Sequence, residues 1–283
     1  GSGSKVCTPK PGANCAGVKS KGRFVSHGNL SRINLRGATL VRANLSGADL
    51  SRANLSGADL RAANLKGANL RHANLKGAKL GAVKKAKASQ GTTPGCAPSC
   101  EGANFSDADL SFANLAGADL SNASFYQANL AYANLYQATL TSANLASANL
   151  TGAILTSTEL YNASLAGANL YKALLYEANL TLAFLSGANL SYATLQGATL
   201  TNANLSYATL NYANLAYSYL YNANLAYANL TYATLQDANL NYANLTNATL
   251  TYAYLRDAAM DRTVWSDTTC QDGTRTSTGC PAS

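Results

Sequence analysis

The chain has 283 residues, 47% of them apolar and only 12% charged, and its 21 Lys and Arg outnumber 13 Asp and Glu for a formal charge of +8. The charged share is about half that of an ordinary soluble domain, so solubility must come from neutral Asn, Ser, Thr and Tyr. No run approaches the roughly 18–20 consecutive apolar residues of a membrane helix, which excludes a helical span from the sequence given.

In chain order, residues 1–27 read as a cloning remnant, Gly1 to Ser4, followed by an N-terminal cap carrying Cys7 and Cys15. Within it, Ala13-Asn14-Cys15-Ala16-Gly17 already has the outline of the unit that follows. From Leu30 to Leu80, and again from Phe105 to Trp265, every fifth residue is large and apolar. Of these 44 centres 40 are Leu, the others being Phe105, Phe125, Met260 and Trp265. Ala stands two residues before the centre in 39 cases, and Asn directly before it in half, as in Ala43-Asn44-Leu45.

A helix cannot use this spacing. Five residues turn about 500° on a helix, so the Leu row would drift some 140° per unit onto every face. A flat strand fails as well, because an odd period throws alternate Leu residues onto opposite faces. A path that turns a corner every five residues escapes both objections, and four such sides close a square coil of 20 residues. Residues 28–265 are therefore expected to form one solenoid. The departure at 83–102, with Lys84, Lys85, Lys87, Cys96 and Cys100, is expected to be an extruded loop whose 20-residue length keeps the columns in register. Residues 266–283, with Cys270 and Cys280 in a Gly/Thr/Ser-rich stretch, are expected to form a disulfide-bonded C-terminal cap.

The repeat resembles the pentapeptide-repeat family, whose consensus A-(N/D)-L-x-x it follows over 220 of 283 residues. The resemblance implies an all-β, right-handed quadrilateral β-helix of about 11 coils, a rod of roughly 53 Å at the usual strand spacing. The central residue and the preceding Ala would lie inside and the other three positions outside. The cysteines and the aromatic ending make the chain similar to secreted, disulfide-containing members. A 20-residue coil also leaves its trace in Tyr192, Tyr212, Tyr232 and Tyr252, with Phe112 and Tyr132 in the same column. Side chains one coil apart stack as neighbours across a sheet.

Six cysteines in three close pairs, Cys7/Cys15, Cys96/Cys100 and Cys270/Cys280, suggest local disulfides and hence export to an extracellular, periplasmic or lumenal compartment. Zinc is the competing reading, but only Cys96/Cys100 has ligand-like spacing. His27 and His72 have no acidic partner or nucleophile spaced to join them, and Asp49, Asp59, Asp109 and Asp119 occupy the Asn/Asp place of the repeat. No cofactor motif is present, and an enzyme is not expected.

Charge is the more informative feature. Residues 1–88 hold 17 Lys and Arg against Asp49 and Asp59, whereas residues 89–283 hold 4 against 11 Asp and Glu. The candidate anion-binding residues are Arg32, Arg52, Arg61, Lys66, Arg71, Lys84, Lys85 and Lys87. They suit an anionic glycan, an acidic lipid surface or an acidic protein; solubility is the plainer explanation of the same charge. Some family members resemble duplex DNA in shape and negative charge and so act on topoisomerases, a role this basic chain opposes. A second candidate surface, for carbohydrate or protein, is the column Tyr132, Tyr192, Tyr212, Tyr232 and Tyr252. The expected function is a non-catalytic structural or binding scaffold, with a passive spacer as its rival.

Overall fold

Every unit of five residues makes one short side and one corner, and its hydrogen bonds explain why. The N–H two places before a centre donates back to the previous central carbonyl, as from Ala38 to Leu35 at 3.0 Å and from Ala63 to Leu60 at 2.9 Å. This closes a four-residue turn. Its third residue has positive φ, 58° at Arg32, 63° at Gly37 and 60° at Tyr192. Positive φ at that one place marks a type II turn. Gly adopts it without strain, whereas other L-residues pay roughly 1–2 kcal/mol there.

The sides pair across coils. Leu35 N donates to Asn54 O at 2.7 Å, and Asn54 N returns to Ile33 O at 2.9 Å. One N–H per unit finds no backbone partner, that of the residue after the centre. The Asn or Asp before the centre accepts it, as Asn29 Oδ1 does from Ser31 N at 2.9 Å and Asn229 Oδ1 from Thr231 N at 3.1 Å. The preference for Asn or Asp is thus a backbone-satisfaction rule.

The computed structural model describes residues 7–20, 24, 26–80 and 100–281. Two units, Gly1–Leu140 and Thr141–Ser283, are each a β-helix solenoid. Parallel bridges 20 residues apart run from Asn14↔Asn34 to Asp119↔Thr139 in the first unit and from Asn144↔Ser164 to Thr249↔Thr269 in the second. The central leucines are at most 1% exposed, with the Ala residues packed beside them, and Phe105 and Phe125 stack inside the first unit at 4.9 Å. Among the described residues, the inward place two before a centre holds a hydroxyl at Thr158, Ser218, Thr263 and Thr268. Ser218 and Thr268 donate to Leu215 O and Leu245 O at 2.7 and 2.8 Å, so neither is an unpaired polar group. Among the described residues no helix is long and apolar enough to cross a membrane.

Three expectations need correction. Winding begins before residue 28, because Asn14 and Lys19 already bridge to Asn34 and Thr39. The interruption does not preserve the columns: across it the bridges are 35 residues apart, as in Asn69↔Asn104 and Lys79↔Asn114, so 15 residues are added, not 20. The column of Arg32, Arg52 and His72 therefore continues to Asp107 and not to Phe112. Third, Cys100 is not half of a disulfide. It takes a Leu place, donates its N–H to Asp119 O at 2.7 Å, and is a free, buried thiol. Burial, with the Asp119 charge adding to it, pushes that thiol up to about 12. Cys96, Lys84, Lys85 and Lys87 lie outside the described residues.

Disulfides join Cys7 to Cys15 and Cys270 to Cys280. The latter closes a short antiparallel hairpin of β1 (Thr268–Thr269) and β2 (Arg275–Thr276) beside Trp265, so the winding runs a little past residue 265. The corner rule yields a test. Ala62 sits at φ 57°, and Ala62→Gly is expected to raise stability by about 1 kcal/mol, read as a higher midpoint of thermal unfolding. An unchanged or lowered midpoint would contradict the strain assigned to that corner.

Candidate anion-binding groove

The first unit carries a groove of ≈ 590 Å³ whose charged lining is Arg32, Arg52, Arg71, His72 and Asp49. Arg32, Arg52 and His72 occupy the same corner on successive coils, at φ 58°, 57° and 58°. Two arginines on successive coils bring like charges to the same side of the unit, where they repel each other. Among the described residues neither Arg32 nor Arg52 has a carboxylate within 4.0 Å. An oxyanion lying across them would relieve that repulsion and meet planar donors suited to two-point contact.

The other wall is quieter. Arg71 Nε bonds Asp107 Oδ2 at 3.3 Å, and His72 Nε2 lies 3.9 Å from the same oxygen. Asp49 is occupied as an acceptor, from Ser51 N at 3.0 Å and Asn69 Nδ2 at 3.1 Å. The groove thus contains two uncompensated cations and one shared. Ser31 and Ser51, in the same column as Arg71, supply further polar lining.

Of the eight basic candidates, the structure brings Arg32, Arg52 and Arg71 together. Arg61 is held apart by a two-point bond to Asp59, at 2.8 and 2.6 Å, and this hydrogen bonding keeps the Asp59 carboxyl below its ordinary range. Lys66 is paired with Glu101 at 3.1 Å. His72, for which the sequence offered no acidic partner, belongs to the groove wall and does lie near one, Asp107, which the altered register brings beside it.

The aromatic columns form as spaced. Tyr192, Tyr212, Tyr232 and Tyr252 stack at 4.8 Å per step, with interplanar angles of 7°, 6° and 21°. Tyr132 stacks on Phe112 at 5.3 Å, and Tyr207 on Tyr227 at 4.7 Å. Each pair contributes about 0.5–1.5 kcal/mol, which offsets the left-handed corner that each of these Tyr residues occupies. The stacking also uses up the ring faces. What the column presents outward is ring edges and hydroxyls, a poor platform for a sugar ring. Among the described residues, no three His, Cys, Asp or Glu side chains are grouped to hold a metal ion.

The family profile described as pentapeptide repeats matches in eight copies, over residues 28–67, 53–83, 103–141, 143–181, 168–206, 203–241 and 228–264. Among solved structures, the chain is similar to HetL of the cyanobacterium Nostoc sp. strain PCC 7120, a pentapeptide repeat protein involved in heterocyst differentiation regulation. Identity is 30% over 91% of this chain and 94% of that one, with a TM-score of 0.37. A pentapeptide repeat protein of the Arabidopsis thaliana thylakoid lumen is 33% identical over 35% of this chain and 68% of its own, TM-score 0.34. QnrB1, a plasmid-mediated fluoroquinolone resistance protein, is 17% identical over 78% and 88%, TM-score 0.32. No curated protein matches.

Proposed function

Since the chain belongs to the pentapeptide-repeat family, we propose that it is an exported, non-catalytic binding scaffold whose first unit takes an extended anionic glycan along the Arg32–Arg52 row. The observation that carries this reading is the pair of arginines repeated on successive coils without a carboxylate partner. A polymer with regularly spaced charges suits a repeating cationic row better than a single small anion does. The disulfides Cys7–Cys15 and Cys270–Cys280 support export, since such bonds persist in oxidising compartments. The finer architecture proposed from the repeat, a right-handed quadrilateral helix with disulfide-bonded ends, keeps the same arginines on one side of the first unit.

Heparin retention tests the proposal. The protein is expected to bind at low salt and elute as salt rises, and Arg32→Ala with Arg52→Ala is expected to elute at clearly lower salt. Arg61→Ala, whose charge Asp59 already neutralises, is expected to change elution little. No retention at low salt, or equal elution of the double variant and the parent, would overturn the proposal. It would leave the passive spacer, for which the self-stacked tyrosines already argue.

A further inference from the structure

We propose that the second unit carries a separate binding site for a quaternary ammonium group, built by Tyr176, Glu177, Tyr217 and Tyr219 around Gly197. The site arises from one missing side chain. Glu177, Gly197, Tyr217 and Asp237 occupy the same corner on successive coils, a register fixed by Glu177 N to Gln196 O at 3.1 Å and Gly197 N to Ala216 O at 3.0 Å. Gly197 contributes no side chain at its rung, so the Glu177 side chain leans over it, its Cγ 3.4 Å from where a Cβ would stand, and Tyr217 follows one coil beyond. The result is a notch of ≈ 260 Å³ lined by Tyr176, Glu177, Gln196, Gly197, Tyr217 and Tyr219. That is smaller than the roughly 300–1,000 Å³ of a drug-sized pocket and suits a headgroup.

The tyrosines here differ from those of the columns. Tyr192, Tyr212, Tyr232 and Tyr252 spend their faces on each other. Tyr176, Tyr217 and Tyr219 are 41%, 51% and 54% exposed, and among the described residues none has a ring partner. Their faces are open. A cation within about 6 Å of such a face is attracted by the ring quadrupole, most strongly when it is weakly hydrated.

The local charge points the same way. Glu177 and Asp237 have no Lys, Arg or His within 4.0 Å among the described residues, whereas Asp257, one rung further, is paired with Arg256 at 3.2 Å. The Tyr176 hydroxyl hydrogen-bonds to the Glu177 carboxylate, and this bond and the carboxylate charge hold the phenol above its ordinary range. The Glu177 carboxylate thus sits in the lining of the notch with the Tyr176 hydroxyl beside it. Residues 141–283 hold 4 Lys and Arg against 7 Asp and Glu, so the surrounding field also favours a cation. A trimethylammonium group needs no hydrogen-bond acceptor, only charge and aromatic surface, and the notch offers both.

Titration with choline, followed by tyrosine ring signals in NMR spectra, tests the site. Saturable, roughly millimolar binding is expected, with shifts confined to Tyr176, Tyr217 and Tyr219. The uncharged isostere 3,3-dimethylbutanol is expected not to bind. Glu177→Gln and Tyr217→Leu are each expected to weaken choline about five- to tenfold, in keeping with a cation–aromatic contact. Gly197→Asn places at the notch a residue that other corners of the unit already hold at Asn202 and Asn222, and should abolish binding while lowering the melting midpoint only slightly, as a non-Gly residue at positive φ does. Sedimentation with phosphatidylcholine vesicles distinguishes the source. Binding lost in Gly197→Asn assigns the site to a lipid headgroup, and choline binding without vesicle binding assigns it to a soluble cation. No saturable choline binding, equal binding of the isostere, or full binding by Gly197→Asn would overturn the proposal.

Discussion

Leu205→Asp is expected to abolish cooperative folding of the second unit. Leu205 is fully buried, its N–H donates to Asn224 O at 2.7 Å, and the equally buried Leu185 and Leu225 lie one coil to either side. The substitution forfeits about 1.5–3 kcal/mol of apolar burial. It also places a carboxylate where no donor is free to meet it, at a further cost of several kcal/mol. Together these rival the roughly 5–15 kcal/mol that holds an ordinary domain. The solenoid has no remote core to fall back on, since each coil is stabilised mainly by its neighbours. Circular dichroism should lose its β signal in proportion to the second unit, with aggregation on size-exclusion chromatography. Ser206→Asp, one residue outward, should melt as the parent does. A normally folded Leu205→Asp variant would refute the inward placement of the repeat's central residue.

The winding itself was legible because two periods coincide. A period of five fits neither a helix nor a flat strand, and the 20-residue recurrence of Tyr192, Tyr212, Tyr232 and Tyr252 set the number of sides. The inward Leu and Ala follow from the same count. Backbone conformation was less visible. That Tyr212 and Arg52 sit at φ 58° and 57° could not be read from their identity, since neither is a residue that favours that region. The corner imposes it and the stacked neighbours compensate.

The register across the interruption was not legible, and the site suffered accordingly. The length of an irregular segment does not say where winding resumes. Cys100 looked like a disulfide partner of Cys96 by spacing, yet it stands where a Leu would, with its thiol in the core. The consequence reaches the groove. With bridges 35 residues apart, Asp107 meets Arg71 and His72, and Glu101 meets Lys66. Four basic or titratable side chains that looked equivalent in sequence separate into paired and unpaired ones, and Arg61 is neutralised by the local Asp59. Among the described residues of the groove, only Arg32 and Arg52 keep a free charge. The notch at Gly197 was hidden for a different reason: a Gly in a corner is the commonest residue there, and its meaning lies in the unstacked rings around it.

Breaking Cys270–Cys280 is expected to release the hairpin while leaving both solenoid bodies wound. The bond closes a segment of 10 residues, a length for which the chain-entropy account assigns about 2–3 kcal/mol. The hairpin's own pairing is short, β1 and β2 pairing over two residues each, and β1 is further tied to the last coil through Thr249↔Thr269, while β2 has no such bridge among the described residues. Trp265, the one tryptophan of the chain, is 7% exposed, and Gly279 packs beside its ring, where an added Cβ would lie 3.7 Å from Nε1. Cys270→Ser with Cys280→Ser should therefore shift tryptophan emission to the red at temperatures where circular dichroism is unchanged. The Cys100 thiol supplies the complementary reading for the first unit. Buried, and pushed up to about 12, it should resist thiol reagents until that unit opens. An intact first unit with an exposed Trp265 is the expected pairing. Emission that stays blue in the double variant would mean that the hairpin is held by its packing on the last coil, not by the disulfide. A Cys100 thiol that became reactive at the same step would mean that loss of this bond unwinds far more than the hairpin.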